Sequence, residues 1–169
     1  MTGDPAQRDP GKPAGPEAEC PDSTVEIAFP SCPEYLALVR SAVKWFAGKC
    51  GFTERDCGRI VLSVVEATTN IIRHAYGGDE KQRISLRMTR IAGGVELEFL
   101  DDGCVVAPED LERRAENGTL SPGGLGVRMM KTCMDDFRYE PRPGGGARLV
   151  LRKLRSGPEG KGRRSTDPK

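Results

Sequence analysis

The segment from Val64 to Tyr76, VVEATTNIIRHAY, constrains the fold of this chain more than any other. It belongs to a longer stretch, starting near Thr53, in which apolar residues recur at spacings of three and four and predict a long amphipathic helix. Those apolar residues are Ile60, Val64, Ala67, Ile71 and Ala75. The same helix carries a polar row, because Glu66, Asn70 and His74 follow one another at one-turn intervals. Such a helix packs one face into a core and turns its polar row toward solvent or a ligand.

The elements predicted around this helix indicate an α/β fold. Alternation of apolar and polar residues predicts five strands, two of which form a hairpin that turns at Gly93 and Gly94. The order β-α-α-β-β-loop-α-β-β favours a two-layer α/β sandwich with a mixed, mostly antiparallel sheet over a doubly wound parallel sheet. The predicted strands are residues 24–29, 83–91, 95–100, 137–140 and 147–154, and the outer helices are about residues 33–48 and 125–135.

Two short patterns mark where the first two helices begin. Ser31 and Glu34 have the spacing of a capping box, with Pro33 in the first turn. Thr53 and Asp56 repeat that spacing before the long helix. The apolar face of the first helix is expected to consist of Tyr35, Leu38, Val39, Ala42 and Phe46.

Both ends of the chain are predicted to be disordered. Residues 1–22 are rich in Pro, Gly and Ala and carry five acids and two bases, whereas residues 155–169 carry five bases and two acids. We therefore expect an acidic arm at 1–22, one folded domain at 23–154 and a basic tail at 155–169. The basic tail could contact nucleic acid or a membrane, but a solvated end is the interpretation we favour.

The composition argues against several functional classes. The formal net charge of +1 gives no basic field for nucleic acid. No apolar run reaches the roughly 18 residues of a membrane span, and residues 1–20 lack the apolar segment of a secretory signal. The absence of a C-x-x-C pair and the presence of a single His argue against a zinc site. We expect a cytoplasmic protein whose six cysteines are reduced.

Three segments carry residues suited to metal and phosphate chemistry. Glu66 and Asn70 offer hard oxygen donors of the kind Mg²⁺ prefers, and a carboxylate can also accept a proton from a nucleophile. Asp101 and Gly103 belong to an acidic turn at a strand end. Glycines at a helix N-terminus let backbone N–H groups approach a phosphate, and here they are Gly123, Gly124 and Gly126. Taken singly, the segments can also be a solvated helix face, a plain turn and a helix entry.

In their order along the chain, these segments resemble the sequence boxes of the Bergerat-fold (GHKL) ATPases. The boxes are EATTNIIRHAY from Glu66, DDG from Asp101, GGLGVRMM from Gly123 and GARLVLRK from Gly146. Within that family, the first box and the later MDDFRY segment are most similar to the bacterial anti-sigma factor serine/threonine kinases. The resemblance covers about residues 25–153. It implies an α/β sandwich, the histidine kinase-like ATPase domain, with ATP held between the helical layer and a lid.

The resemblance also implies roles for individual residues. Asn70 matches the residue whose side-chain oxygen coordinates Mg²⁺, and Glu66 matches the acid that serves as general base or orients the nucleophile. Asp101 matches the acid that hydrogen-bonds the adenine amino group, and Gly103 lets the base approach. The remaining implied roles are nucleotide binding by His74, Gly124 and Gly126, a lid at residues 104–123, and partner docking by Arg40 on the first helix.

The activity implied by the resemblance is that of a protein kinase. It would sequester a sigma factor and, with Mg·ATP, phosphorylate a Ser or Thr of an anti-sigma factor antagonist. Relatives are often dimers, so a homodimer is one expectation. Direct binding to nucleic acid or a membrane is not expected. A two-component histidine kinase is not expected either, because no added dimerisation helix bears a phosphoacceptor His.

Two departures from the family pattern leave other functions open. Cys104 and Val105 follow Gly103, so the second Gly of D-x-G-x-G is missing, as it often is in the anti-sigma branch. Ala147 stands where relatives commonly carry a Thr near the adenine acid, which removes a hydroxyl. The alternatives are a partner-binding module without phosphotransfer, nucleotide-responsive or nucleotide-free, and a sandwich without nucleotide. Glu66 discriminates between them, because a module that only binds has no need of it.

Overall fold

Five strands form one antiparallel sheet in the computed structural model, which describes residues 23–107 and 124–155. The strands are β1 (Thr24–Pro30), β2 (Arg83–Ile91), β3 (Gly94–Asp101), β4 (Asp136–Pro141) and β5 (Ala147–Leu154). Their spatial order is β1-β2-β3-β5-β4, and each neighbouring pair runs antiparallel. The predicted α/β sandwich is confirmed, although the described strands include no parallel pair where a mixed sheet was expected.

Three helices in the described ranges cover one face of this sheet. They are α1 (Leu36–Lys49), α2 (Glu54–Asn70) and α3 (Gly124–Cys133). A short 3₁₀ turn, Pro33–Tyr35, precedes α1, and a π-helical turn, Ile71–Ala75, continues α2. Helix α2 packs against both α1 and α3 and is therefore central in the helical layer. Its buried residues Ile60, Val64 and Ala67 lie in the core, as the apolar spacing predicts.

Several expectations concern residues outside the described ranges. They are the acidic arm at 1–22, the basic tail beyond Arg155 and most of the lid predicted at 104–123. Within the described ranges, no helix is long and apolar enough to cross a membrane. The cysteines described there are free thiols, as expected, and they are Cys32, Cys50, Cys57, Cys104 and Cys133.

Strand β3 shows how the sheet divides its side chains between the core and the outer face. Val95, Leu97 and Phe99 are fully buried under the helices. Because side chains alternate along a strand, Asp101, two residues beyond Phe99, lies on the same face as these three and also turns toward the helical layer. The strand thus carries a carboxylate into the interior at its last residue, where Asp101 is only 5% exposed.

The start of α1 differs from the sequence prediction. Ser31 is buried, and its hydroxyl lies 2.5 Å from the carbonyl oxygen of Asp79 and 3.2 Å from that of Gln82. No side chain caps the 3₁₀ turn, so the capping-box prediction is wrong: the hydroxyl joins β1 to the segment before β2 instead. The second cap is confirmed, because the Thr53 hydroxyl accepts a hydrogen bond from the backbone N–H of Asp56 at 3.2 Å.

The apolar face of α1 is rotated relative to the prediction. Val39, Val43, Phe46 and Ala47 are buried, whereas Leu38 is 59% exposed. The buried residues follow spacings of three and four and form the seam toward the core, and Leu38 lies about 100° away from Val39 around the helix. The prediction that Leu38 belongs to this seam is therefore wrong.

Ion pairs between neighbouring strands cover the outer face of the sheet. Glu98 on β3 is only 8% exposed and accepts hydrogen bonds from Arg87 at 2.8 Å and from Arg148 at 2.5 Å. Glu26 on β1 and Glu140 on β4 extend the network to both edges, through Arg87 and Arg148 respectively. Glu98 is thus the shared acceptor of two guanidinium groups, and its negative charge holds three strands in register.

We expect Glu98→Gln to destabilise the protein by about 1–3 kcal/mol, because hydrogen bonds to charged groups contribute about that much and both arginines would lose the less exposed of their two carboxylate partners. Urea unfolding measures the difference. Glu140→Gln is the matched control: its side chain is 54% exposed, and exposed ion pairs contribute about 1 kcal/mol or less. Equal effects of the two substitutions would contradict a central role for Glu98.

Candidate functional site

A cavity lies between α2, the π-helical turn, α3 and the sheet. Its polar side chains come from separate elements: Asn70 and His74 from the helical layer, Asp101 from β3 and Tyr139 from β4. The rest of the wall is mostly apolar and includes Ile71, Val127, Met130, Phe137 and Leu149. An apolar cleft with a few converging polar groups is the usual form of a small-molecule site.

The π-helical turn forms one edge of this cavity. The carbonyl oxygen of Ile71 accepts the N–H of Tyr76 at 3.0 Å, five residues along, where an α-helix would use the fourth. The wider turn changes the phase of the helix, and both His74 and Ala75 line the cavity. Such π turns are frequent at functional sites. The sequence predicts a helix here but not its π geometry.

The turn after β3 lies directly on the π-helical turn. A methyl group on Gly103 would come within 2.6 Å of the Cβ and carbonyl oxygen of Ala75, which leaves no room for a side chain. The next residue stabilises this approach, because the N–H of Cys104 donates a hydrogen bond to the Ala75 carbonyl at 2.8 Å. Gly103 is therefore required for the close approach of the turn to the helix.

The first turn of α3 lies against the polar row of α2. A methyl group on Gly126 would be 2.6 Å from Oε2 of Glu66 and 3.5 Å from Nδ2 of Asn70. Gly124 is the first residue of α3, and the first N–H groups of a helix have no partner within the helix. The first described turn of α3 thus lies against a carboxylate and an amide, of which Asn70 also lines the cavity.

Asp101 provides the buried acid at the other end. Its Oδ1 accepts the N–H of Gly103 at 3.0 Å. Burial raises the pKa of Asp101 above its ordinary value, the negative charge of Asp102 acts in the same direction, and the Gly103 N–H and the Arg142 guanidinium oppose them. A buried carboxylate that keeps a free acceptor position can select a ligand by a hydrogen-bond donor.

The glycine turn before β5 fits closely around Asp101. Gly146 has a φ of +76°, and a methyl group there would lie 1.9 Å from the carbonyl oxygen of Asp101. Ala147, the next residue, pairs with Asp101 in the sheet and is buried. The hydroxyl that relatives commonly carry at this position would therefore stand beside the buried acid.

The structure places the other predicted site residues outside the described cavity lining. Glu66, Gly103 and Gly126 lie against or next to residues of the lining, and Gly124 begins the described part of α3. Arg40 is exposed on α1 and is not among the described residues that line the cavity.

Two tyrosines near the cavity were not singled out from the sequence. The Tyr139 hydroxyl accepts the N–H of Val106 at 3.1 Å, and the Tyr76 hydroxyl donates to the carbonyl of Arg83 at 2.6 Å. Burial raises the pKa of both tyrosines, so both hydroxyls keep their proton at neutral pH. The alternation of side chains along β4 puts Tyr139 on the same face as Phe137, and this pattern could have pointed to Tyr139 from the sequence.

The donor set suits magnesium bound together with a nucleotide. In the ranges 23–107 and 124–155, no three His, Cys, Asp or Glu residues cluster as ligands of a metal. Mg²⁺ commonly takes one or two protein oxygens and completes its octahedron with phosphate oxygens and water. Asn70, beside the first turn of α3, can supply such an oxygen, so the residues present fit a Mg·nucleotide.

Comparison with known proteins agrees with this geometry. Residues 29–153 match the family of the histidine kinase-like ATPase domain. Serine-protein kinase RsbW of Bacillus velezensis is 31% identical over 127 residues, which span 71% of this chain and 79% of that protein. RsbW of Bacillus subtilis is 30% identical over 71% of this chain and 79% of that protein. RsbW of Listeria monocytogenes is 28% identical over 68% of this chain and 77% of that protein.

Solved structures resemble the fold. The RsbU and RsbW domains of a Mycobacterium tuberculosis protein align with a TM-score of 0.55 at 18% identity, over 78% of this chain and 32% of that one. A chain of the SiaB–SiaC complex from Pseudomonas aeruginosa aligns with a TM-score of 0.55 at 14% identity, over 77% of this chain and 88% of that chain. The fold and its cavity thus define a histidine kinase-like ATPase domain, and the chain belongs to that family. Its relatives place it in the branch of the anti-sigma factor serine/threonine kinases.

Proposed function

We propose that this protein is an anti-sigma factor kinase that binds Mg·ATP in the cavity, sequesters a sigma factor and phosphorylates a Ser or Thr of an anti-sigma factor antagonist. The observation that carries the proposal is the close approach of Gly126 to the side chains of Glu66 and Asn70, which leaves no room for a Cβ at Gly126. It brings a helix N-terminus suited to phosphate, an amide oxygen suited to Mg²⁺ and a carboxylate suited to a proton into one place. The kinase names of the relatives support serine as the acceptor.

Phosphoryl transfer requires mainly positioning and neutralisation of charge. Asn70 would hold Mg²⁺ through its amide oxygen, and the bound metal ion neutralises charge on the phosphates. The backbone N–H groups at Gly124 and Gly126 would donate to phosphate oxygens. Glu66, within contact distance of Gly126, would orient the attacking hydroxyl and accept its proton.

The other end of the cavity would hold the adenine. The ionised Asp101 would accept a hydrogen bond from the 6-amino group, while apolar side chains such as Met130 and Leu149 enclose the ring. His74 lines the same cavity, and we assign it to nucleotide binding. Gly103 keeps the turn after β3 close to α2 and so fixes the depth of this pocket.

Partner binding is assigned to the outer face of α1, where Arg40 is exposed. A phosphoryl group adds a charge of about −1.5 to −2 at pH 7, and such a charge changes the affinity of an interface that contains ionic contacts. Phosphorylation of the antagonist would therefore release it. We expect the kinase to act as a cytoplasmic protein, and a homodimer is one assembly open to it.

A second function rests on Ala147. Its methyl group occupies the place beside Asp101 where relatives commonly carry a hydroxyl, so a donor or acceptor for the base is absent there. A chain with weakened nucleotide binding could sequester its partner without transferring phosphate. Glu66 of α2, whose carboxylate lies beside Gly126 in the first described turn of α3, favours the kinase over this alternative.

The proposal is tested by phosphotransfer from Mg·ATP to candidate antagonist proteins of the same cell. Mass spectrometry should find one added phosphate on a Ser or Thr of one antagonist, only when ATP, Mg²⁺ and the kinase are all present. Stable binding of an antagonist in the presence of Mg·ATP, without any phosphate transfer to it, would contradict the kinase and favour the partner-binding module.

If Asp101 selects adenine, the affinity for ATP should depend on pH. Because burial raises the pKa of Asp101, its protonated form is populated at higher pH than for an ordinary Asp. A neutral carboxyl accepts the 6-amino group less well, so the affinity for ATP should fall as pH decreases through that raised pKa, by about tenfold for a lost charge-assisted hydrogen bond.

The control nucleotide is purine riboside triphosphate, which lacks the 6-amino group but carries the same phosphates. Titrations of both nucleotides across the acid range give their affinity ratio, in which the titration of the shared triphosphate cancels. A ratio that does not change with pH would contradict a selecting role for Asp101.

A further inference from the structure

We propose that Arg142 is the positioning residue that holds Asp101 in place and thereby sets the preference of the cavity for a purine with a 6-amino group. This inference rests on the proposed function, because it assumes that the cavity binds ATP. Arg142 lies in the turn between β4 and β5, outside the sequence boxes that carry the nucleotide chemistry.

The first observation is that Arg142 binds the backbone of the selecting acid. Its Nη1 donates to the carbonyl oxygen of Asp101 at 2.9 Å and to Oδ1 of Asp102 at 2.7 Å. Asp101 is the last residue of β3, so its carbonyl lies where the chain leaves the sheet. One side chain therefore bridges the two residues at the point where the strand no longer fixes them.

The second observation is that the turn carrying Arg142 is itself fixed. The N–H of Arg142 donates to the carbonyl of Gly146 at 3.0 Å, and the N–H of Gly145 donates to the carbonyl of Arg142 at 3.1 Å. Gly146 in turn packs on the carbonyl of Asp101. A closed turn pressed against the end of β3 gives Arg142 a rigid base from which to hold the acid.

A third contact holds the same segment from the opposite side. The N–H of Asp102 donates to the Tyr76 hydroxyl at 3.0 Å, and that hydroxyl donates to the carbonyl of Arg83. The segment at Asp101 is thus held between Arg142 and the end of the π-helical turn. Of these contacts, only that of Arg142 also brings a positive charge toward the acid.

The charges around Asp101 make the role of Arg142 measurable. Asp102 follows it in the chain, Tyr76 and Tyr139 face it from the helical layer and β4, and His74 lines the same cavity. The positive charge of Arg142 lowers the pKa of Asp101 and so acts against the rise that burial causes. Without it, the carboxylate should take up a proton at higher pH as well as lose its fixed position.

The experiment compares Arg142→Met with Arg138→Met, a matched control on β4 whose guanidinium pairs with Asp136 at 2.7 Å. Calorimetry measures the affinity of each variant for Mg·ATP and for Mg·purine riboside triphosphate. Arg142→Met should weaken ATP binding about tenfold and change binding of the analogue by less than about twofold. Its ATP-to-analogue ratio should also begin to fall at higher pH than in the wild type. Arg138→Met should change neither.

A second variant separates charge from geometry. Arg142→Lys keeps the positive charge but not the Nη1 that donates to both the Asp101 carbonyl and Asp102, so it should retain the pH profile of the wild type with a lower preference for ATP. Equal loss of both nucleotides in Arg142→Met and Arg142→Lys would show a structural role only and overturn the inference, as would unchanged affinity and pH profile. If the wild type bound neither nucleotide, the proposed function would fail, and this inference with it.

Discussion

Replacing Asn70 by alanine is expected to remove Mg·ATP binding. The substitution deletes the amide oxygen that would ligate Mg²⁺ next to the first turn of α3, and no cluster of acidic, His or Cys ligands among the described residues can take its place. A nucleotide at about 100 times its Kd stabilises a protein by about 2.7 kcal/mol, which raises the Tm of a domain of this size by about 5–10 °C. The wild type should show this shift with Mg·ATP, and Asn70→Ala should not.

Thr69→Ala provides the control for the Asn70 variant. Thr69 precedes Asn70 in α2 but is not among the described residues that line the cavity, so its loss should leave the nucleotide-dependent shift intact. Measured without nucleotide, the Tm of both variants shows whether either substitution damages the fold. A normal Mg·ATP shift in Asn70→Ala would refute the assigned metal ligand.

Replacing Glu66 by glutamine is expected to separate binding from transfer. The amide keeps the size of the side chain beside Gly126 but cannot accept a proton from the attacking hydroxyl. Mg·ATP affinity should stay within about twofold, whereas the rate of phosphotransfer should fall by about 10²–10⁴, the usual contribution of a general base. Single-turnover phosphorylation of the antagonist, followed by mass spectrometry, measures the rate.

Glu54→Gln is the matched control, because its side chain is 84% exposed at the start of α2 and pairs only with Lys44 in the described structure. It should transfer phosphate at the rate of the wild type. A normal rate in Glu66→Gln would show that Glu66 positions the phosphate-binding turn without taking part in proton transfer, and the assignment of the base would be wrong.

The elements that place the acid of the site could be predicted because they follow local periodicity. The alternation of β3 predicts that Val95, Leu97 and Phe99 share one face, and the acidic turn follows directly at Asp101. The spacing of Glu66 and Asn70 likewise predicts that they share one face of α2. These relations depend only on the repeat of a strand or a helix.

Other features depend on contacts between distant residues and could not be read from spacing. The hydroxyl of Ser31 was predicted to cap a helix but donates to the carbonyls of Asp79 and Gln82, which the pairing of β1 with β2 brings beside it. The π-helical turn lies against Gly103, a residue that comes 28 positions after Ala75 in the sequence. The contact of Arg142 with Asp101 joins two turns that only the sheet brings together.

The central claim is that the cavity between α2, α3 and the sheet binds ATP with Mg²⁺. Calorimetric titration of ATP into the wild-type protein, with Mg²⁺ and with a chelator in its place, tests it most directly. We predict saturable binding of one ATP per chain that weakens at least about tenfold when Mg²⁺ is removed, since one ligand contact of that strength is worth about 1.4 kcal/mol. Absence of binding up to about 1 mM ATP, or binding that is indifferent to Mg²⁺, would contradict the claim.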